Sequence, residues 1–178
     1  MNLHHHRRKR SRHRGLTLME AVIALGMIAV AVPLILSATA VGTRTRANAE
    51  TDTRSAWLAR EVQRELTDAW RDLPSPLFTP KPIFPNFGSV DAPEVLLFDA
   101  DGRFLTRGTS NDYLNGSRNP QAVYMVSVFS QRQAPANINT TEDLLARVQM
   151  TISHTARAPL AKRVPNAYTV LIPRQIAP

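Results

Sequence analysis

From Ala21 to Thr43 the chain runs for 23 residues without a charged side chain. About 20 apolar residues are enough for a helix to cross the hydrocarbon core of a bilayer. The flanks give this run a direction. Met1–Gly15 carries Arg7, Arg8, Lys9, Arg10, Arg12 and Arg14 and no acid. Six cations on one side of the span place Met1 in the cytoplasm and the C-terminal bulk outside it, by the positive-inside rule. The same six residues account for most of the formal charge of +8. Without them 16 basic residues stand against 14 acidic ones, so the excess belongs to the leader and a nucleic-acid partner is not expected. With 178 residues the chain has room for one domain of ordinary size beside the apolar segment. Cysteine is absent, which excludes disulfides, thiolate zinc sites and cysteine nucleophiles.

Four pieces follow one another. Residues 1–15 are a polar, basic leader with no apolar periodicity. Residues 16–43 are the membrane-spanning helix, with Gly26 and Pro33 inside it. Pro33 has no N–H for the Ala29 carbonyl and is expected to kink the helix. Residues 44–73 read as an amphipathic helix continuing the first. Leu58, Val62, Leu66, Ala69 and Leu73 recur at helical spacing, and Arg54, Arg60, Glu61, Arg64, Glu65 and Asp68 lie largely off that stripe. No proline falls between Pro33 and Pro74, and Pro74 and Pro76 are expected to end the helix. Residues 74–94 form a loop holding six of the 13 prolines.

Residues 95–178 carry strand signals. Val95–Phe98 and Arg103–Thr106 flank Asp99-Ala100-Asp101-Gly102, a hairpin turn in which Gly102 supplies a positive φ. Ala122–Phe129, Leu145–Ser153 and Tyr168–Ile172 are further strands, and Asn111–Pro120 reads as a polar loop. Strands in succession imply an antiparallel sheet. One face of it needs cover, and the helical stripe is available. The expected fold class is therefore α+β.

The junction Arg14-Gly15-Leu16-Thr17-Leu18-Met19-Glu20 has a basic leader ending in glycine, then an apolar segment with one carboxylate at its fifth residue. This resembles the class III signal of type IV prepilins and type II secretion pseudopilins. The resemblance implies cleavage between Gly15 and Leu16 by prepilin peptidase, with methylation of the new Leu16 amine. Phenylalanine is commoner than leucine at that position in the family. It also implies a pilin-like fold, a long N-terminal helix packed on a small antiparallel sheet. Glu20 then neutralises the Leu16 amine of a neighbouring subunit in a filament, and Pro33 marks local unwinding there. The implied partners are prepilin peptidase, other pilin or pseudopilin subunits, the inner-membrane assembly platform and membrane lipid. A narrower resemblance, to the prepilin-like family called Verru_Chthon cassette protein B, rests on Glu20-Ala21-Val22-Ile23-Ala24-Leu25-Gly26, Leu97-Phe98-Asp99-Ala100-Asp101-Gly102 and a final strand near Tyr168–Ile172.

Other signals compete. Ala38-Thr39-Ala40 fits ordinary signal peptidase, whose cut would release a soluble domain starting at Val41. The apolar run, however, exceeds the usual 7–15-residue core of a secretory signal and begins beside Glu20. Asp99-x-Asp101-Gly102 resembles the start of a calcium loop, but no glutamate follows at the EF-hand distance. His4-His5-His6 lies in the leader. His154, the one histidine beyond it, has no serine or acid at catalytic spacing. No catalytic residue, cofactor or metal site is expected. The reading is a structural subunit that is itself an enzyme substrate. Its rival is a membrane-anchored or secreted β-domain binding protein with no filament role. The cysteine pair common in major pilins is missing, as it is in many major pseudopilins, so a minor and a major subunit both remain open.

Overall fold

A computed structural model describes residues 17–133 and 145–174. The order of elements is α1 (Leu18–Trp70), β1 (Glu94–Phe98), β2 (Phe104–Gly108), α2 (Ser110–Asn115), β3 (Tyr124–Arg132), β4 (Leu145–Ser153) and β5 (Pro165–Pro173). A 3-10 turn, Leu160–Lys162, precedes β5. The chain divides into two units, Met1–Ala47 and Asn48–Pro178.

In the second unit the strands form one antiparallel sheet in the order β2-β1-β3-β4-β5. The chain after β2 passes over to the far side of β1 by way of α2, and β3, β4 and β5 then follow as a meander. Even-numbered residues share one face: Leu96 and Phe98 of β1, Tyr124, Val126 and Val128 of β3, and Val148, Met150 and Ile152 of β4. Leu58, Val62, Leu66 and Ala69 of α1 pack on that face, and all twelve belong to one buried cluster. The spacing of those four residues gives the helix a single apolar stripe, and burying it shields the even-numbered face from water.

Leu73 leaves the stripe. Helix α1 stops at Trp70, and Leu73 is 51% exposed. Asp72 takes φ 63°, Leu73 N–H donates to Asp68 O at 2.9 Å, and Asp72 N–H donates to Ala69 O at 3.3 Å. This is a Schellman stop with aspartate where glycine is usual. It reverses the chain before Pro74 is reached. The proline-rich loop then folds back on the helix end. Ser75 hydroxyl donates to the buried Glu65 carboxylate at 2.7 Å, and Phe84 meets Trp70 edge to face at 4.9 Å.

The β1–β2 hairpin turns at Asp99–Gly102 as expected. Asp99 Oδ1 accepts from the N–H groups of Asp101 (2.9 Å) and Arg103 (2.8 Å), and Gly102 has φ 80°. A second constraint on Gly102 comes from the helix. An added Cβ would lie 2.8 Å from the Trp57 ring, and Arg54 of the same helix donates to Ala100 O.

Asn111–Pro120 is not simply a loop, because its first half lies in α2. Thr109 caps that helix. Its hydroxyl accepts from Asp112 N–H (3.2 Å), and the Asp112 carboxylate accepts from Thr109 N–H (2.8 Å) and hydroxyl (2.7 Å). The odd-numbered face of β1 and β3 is also covered. Val95, Leu97 and Met125 form a second buried cluster with Ala122 and Ala156, flanked by Leu105 and Tyr113. Arg163 closes this region. Its guanidinium donates to Ala158 O (2.7 Å) and Asp112 O (2.9 Å), lies against Met125 sulfur, and sits 5.9 Å from the Tyr113 ring centroid.

Candidate functional site

Of the residues singled out by the sequence, Glu20 lies in the first turn of α1 and Pro33 inside the helix. Gly15 and Leu16, the cleavage pair, fall outside the described residues. Glu20 falls inside them. Thr17 N–H donates to Glu20 Oε2 at 3.0 Å and Thr17 hydroxyl donates to the same oxygen at 3.2 Å. Glu20 N–H donates back to Thr17 Oγ1 at 3.3 Å, and Ala21 N–H donates to Thr17 O at 3.1 Å. Thr17 is thus the N-cap of α1 and Glu20 its third residue, a reciprocal capping box. Two backbone donors that a helix start leaves unpaired are satisfied this way. The carboxylate also faces the positive end of the helix dipole.

Thr17 is the residue sequence reasoning missed, although Thr-x-x-Glu before an apolar run is the usual signature of such a box. The box uses Oε2 only. Oε1 takes part in none of these bonds, so the carboxylate keeps capacity for a second, charge-assisted partner such as an ammonium group.

The stretch that follows lies open along its length. Every residue from Val22 to Glu50 is exposed, including Leu25 at 67% and Ile35 at 65%. A continuous apolar surface of this kind marks a contact with lipid or protein. Polar side chains at its far end are turned inward on their own helix. The hydroxyls of Thr43 and Thr45 donate to Ala40 O and Val41 O, each at 3.0 Å. Back-bonding of this type satisfies a hydroxyl where water is scarce. Helix α1 continues through Pro33. Among the described residues, nothing beyond the helix's own backbone and chain neighbours lies within 4 Å of a Cβ built on Gly26.

The second unit offers less chemistry. His154 is exposed directly after β4. Among the described residues no three of His, Cys, Asp and Glu come together as a metal group. On the solvent side of α1, Arg64 binds Glu61 (2.7 Å), Glu65 (2.6 Å) and Asp68 (3.3 Å), and its pKa is raised above the usual guanidinium value, chiefly by the Glu61 hydrogen bond. Burial lowers the Arg163 pKa and raises that of Tyr124. Hydrogen bonds from Thr109 hold the Asp112 carboxyl below the usual range.

Compared with protein-family models, curated proteins and solved structures, the chain has no match in any of the three. The fold itself defines the class. This is an α+β protein with the pilin-like layout, whose long N-terminal helix packs in its second unit on a small five-stranded antiparallel sheet. That helix is long and apolar enough to cross a membrane.

Proposed function

We propose that the chain is a prepilin-like (pseudopilin) structural subunit. Prepilin peptidase cuts after Gly15, and the new Leu16 amine is methylated. The subunit rests in the inner (cytoplasmic) membrane with its N-terminus cytoplasmic and its C-terminal domain outside. The assembly platform then draws it, through its N-terminal helix, into a type IV pilus or type II secretion pseudopilus. The chain catalyses nothing itself in this reading.

One observation carries the proposal. Glu20 is the sole charge between Arg14 and Arg44, and it stands at the capped, exposed start of an apolar helix, with Oε1 outside the bonds to Thr17. A carboxylate carried into lipid costs about 2.5–3.5 kcal/mol at the helix centre on insertion scales, so it favours any position that supplies a cation. The Leu16 amine of the next subunit is such a cation. Because the donor sits on one chain and the acceptor on the next, the contact is heterologous, and repeating it builds an open filament wherever the rotation between subunits does not close into a ring.

The test separates charge from capping. Glutamine at this position still caps, since Glu and Gln both serve in the box, but it has no charge to offer. Glu20→Gln, Glu20→Ala and Glu20→Leu are each expected to insert in the membrane and to drop out of filaments. Normal incorporation of Glu20→Gln would reduce the residue to a helix cap. Incorporation of all three would remove Glu20 from assembly altogether, whereas a parent chain found in the membrane and in no filament would favour an independent membrane-anchored binding domain.

A further inference from the structure

We propose that Arg44 and Arg46 form a phosphate-binding collar that pins α1 to phospholipid headgroups on the membrane face opposite the leader. The inference rests on the membrane-spanning reading of α1 and adds a lipid site to it.

Three observations converge on these two residues. The first is length. Ala21 to Thr43 in helical form spans about 33 Å at 1.5 Å per residue, against a hydrocarbon core of about 30 Å. When Glu20 stands at one interface, Arg44 therefore reaches the other, at the level of the phosphates.

The second is charge. Arg44 and Arg46 are the only charged residues between Glu20 and Glu50. Both are exposed, and among the described residues neither joins an ion pair. A guanidinium presents a planar fork of donors that matches a phosphate in two parallel hydrogen bonds. The flanking hydroxyls do not compete for that ligand, because Thr43 and Thr45 are already bonded to Ala40 O and Val41 O.

The third is direction. Two residues apart on a helix means a rotation of about 200°. The two side chains leave opposite sides of α1, so one faces lipid at any rotation of the helix. A collar with no preferred face suits a subunit that must turn as it approaches different neighbours. The ligand is the phosphate group of a phospholipid, and a net negative headgroup strengthens the contact.

The absence of cysteine makes the test direct. A spin label at Ala47→Cys in the otherwise intact chain reports depth in vesicles of phosphatidylcholine with or without phosphatidylglycerol. Bilayers are chosen with hydrocarbon thinner and thicker than the span. In the parent chain the label is expected to stay at the water interface as the bilayer thickens, most firmly with phosphatidylglycerol. In Arg44→Gln/Arg46→Gln it is expected to sink by several ångströms in the thick bilayer, while Arg44→Lys/Arg46→Lys, which keeps the charge and loses the fork, is expected to sink by less. Equal label depth in the parent and glutamine variants across all bilayers would overturn the collar. A second label at Val32→Cys tests the underlying reading. If water-soluble relaxants reach it in vesicles, α1 does not span the membrane, and both proposals fall.

Discussion

Replacing Gly116 by alanine should cost the second unit more than any other single-methyl addition to it. Gly116 ends α2 with φ 93° and ψ 147°, a combination left almost entirely to glycine. Holding another residue there costs about 1–3 kcal/mol in backbone strain. Space adds a second penalty. The new Cβ would stand 2.3 Å from Arg157 O, 2.7 Å from Arg157 C and 3.0 Å from Ala158 C, all backbone atoms. Rotating a side chain cannot relieve such contacts. Nor can that backbone move freely, since Ser117 N–H donates to Ala156 O at 2.9 Å and Ala156 N–H to Val123 O at 3.0 Å. Overpacking of this sort typically costs a further 1–3 kcal/mol. The total of about 2–6 kcal/mol is a large share of the 5–15 kcal/mol that holds an ordinary domain. Urea unfolding of the intact chain in detergent, followed by the fluorescence of Trp57 and Trp70, measures it. A midpoint for Gly116→Ala within about 0.5 kcal/mol of the parent, the usual spread of neutral surface changes, would refute the backbone geometry assigned to this cap.

Three more predictions test the packing. Leu58→Ala and Leu66→Ala, at sites with 0% exposure, should each cost about 2–5 kcal/mol, whereas Leu73→Ala should stay within about 0.5 kcal/mol; equal losses would mean the helix stripe extends through Leu73. Ser75→Ala strips the buried Glu65 carboxylate of a 2.7 Å hydrogen bond and should cost about 1–3 kcal/mol in the same unfolding assay, with a silent result removing that bond from the account. Hydrogen bonds from Thr109 hold the folded Asp112 carboxyl below the ordinary aspartate value of 3.8, so its contribution is complete above that value and is lost as pH falls through the lower folded one. Asp112→Asn should therefore flatten the acid limb of stability below about pH 4, and an unchanged acid limb would contradict the capping geometry around Thr109.

The helix and the strands were legible because their patterns are strong and local. The step of three or four through Leu58, Val62, Leu66 and Ala69 marks one buried stripe, and the alternation of Val148, Met150 and Ile152 marks one buried face. The end of α1 was not legible, since a left-handed aspartate at 72 carries no sequence mark comparable to glycine. Helix α2 was hidden for a related reason. Thr109-Ser110-Asn111-Asp112 is made of residues that bond to nearby backbone and favour turns as readily as caps. The order of the sheet depends on β1 pairing with β3, a long-range choice that local patterns do not record. The second buried cluster did leave a trace. Val95-Leu96-Leu97-Phe98 is apolar without alternation, as a strand buried on both faces should be.

At the candidate site the sequence disclosed the odd carboxylate but not its local use. That use is the pairing with Thr17, three residues earlier. The two roles are compatible, because the box engages Oε2 and the proposed amine needs only a free lone pair.

The proposal turns on where the mature chain begins. Intact mass and N-terminal sequencing of the protein taken from its own membrane answer that in one experiment. Prepilin processing predicts a chain starting at Leu16 with a methylated amine. A chain starting at Val41, or one retaining Met1, would contradict it.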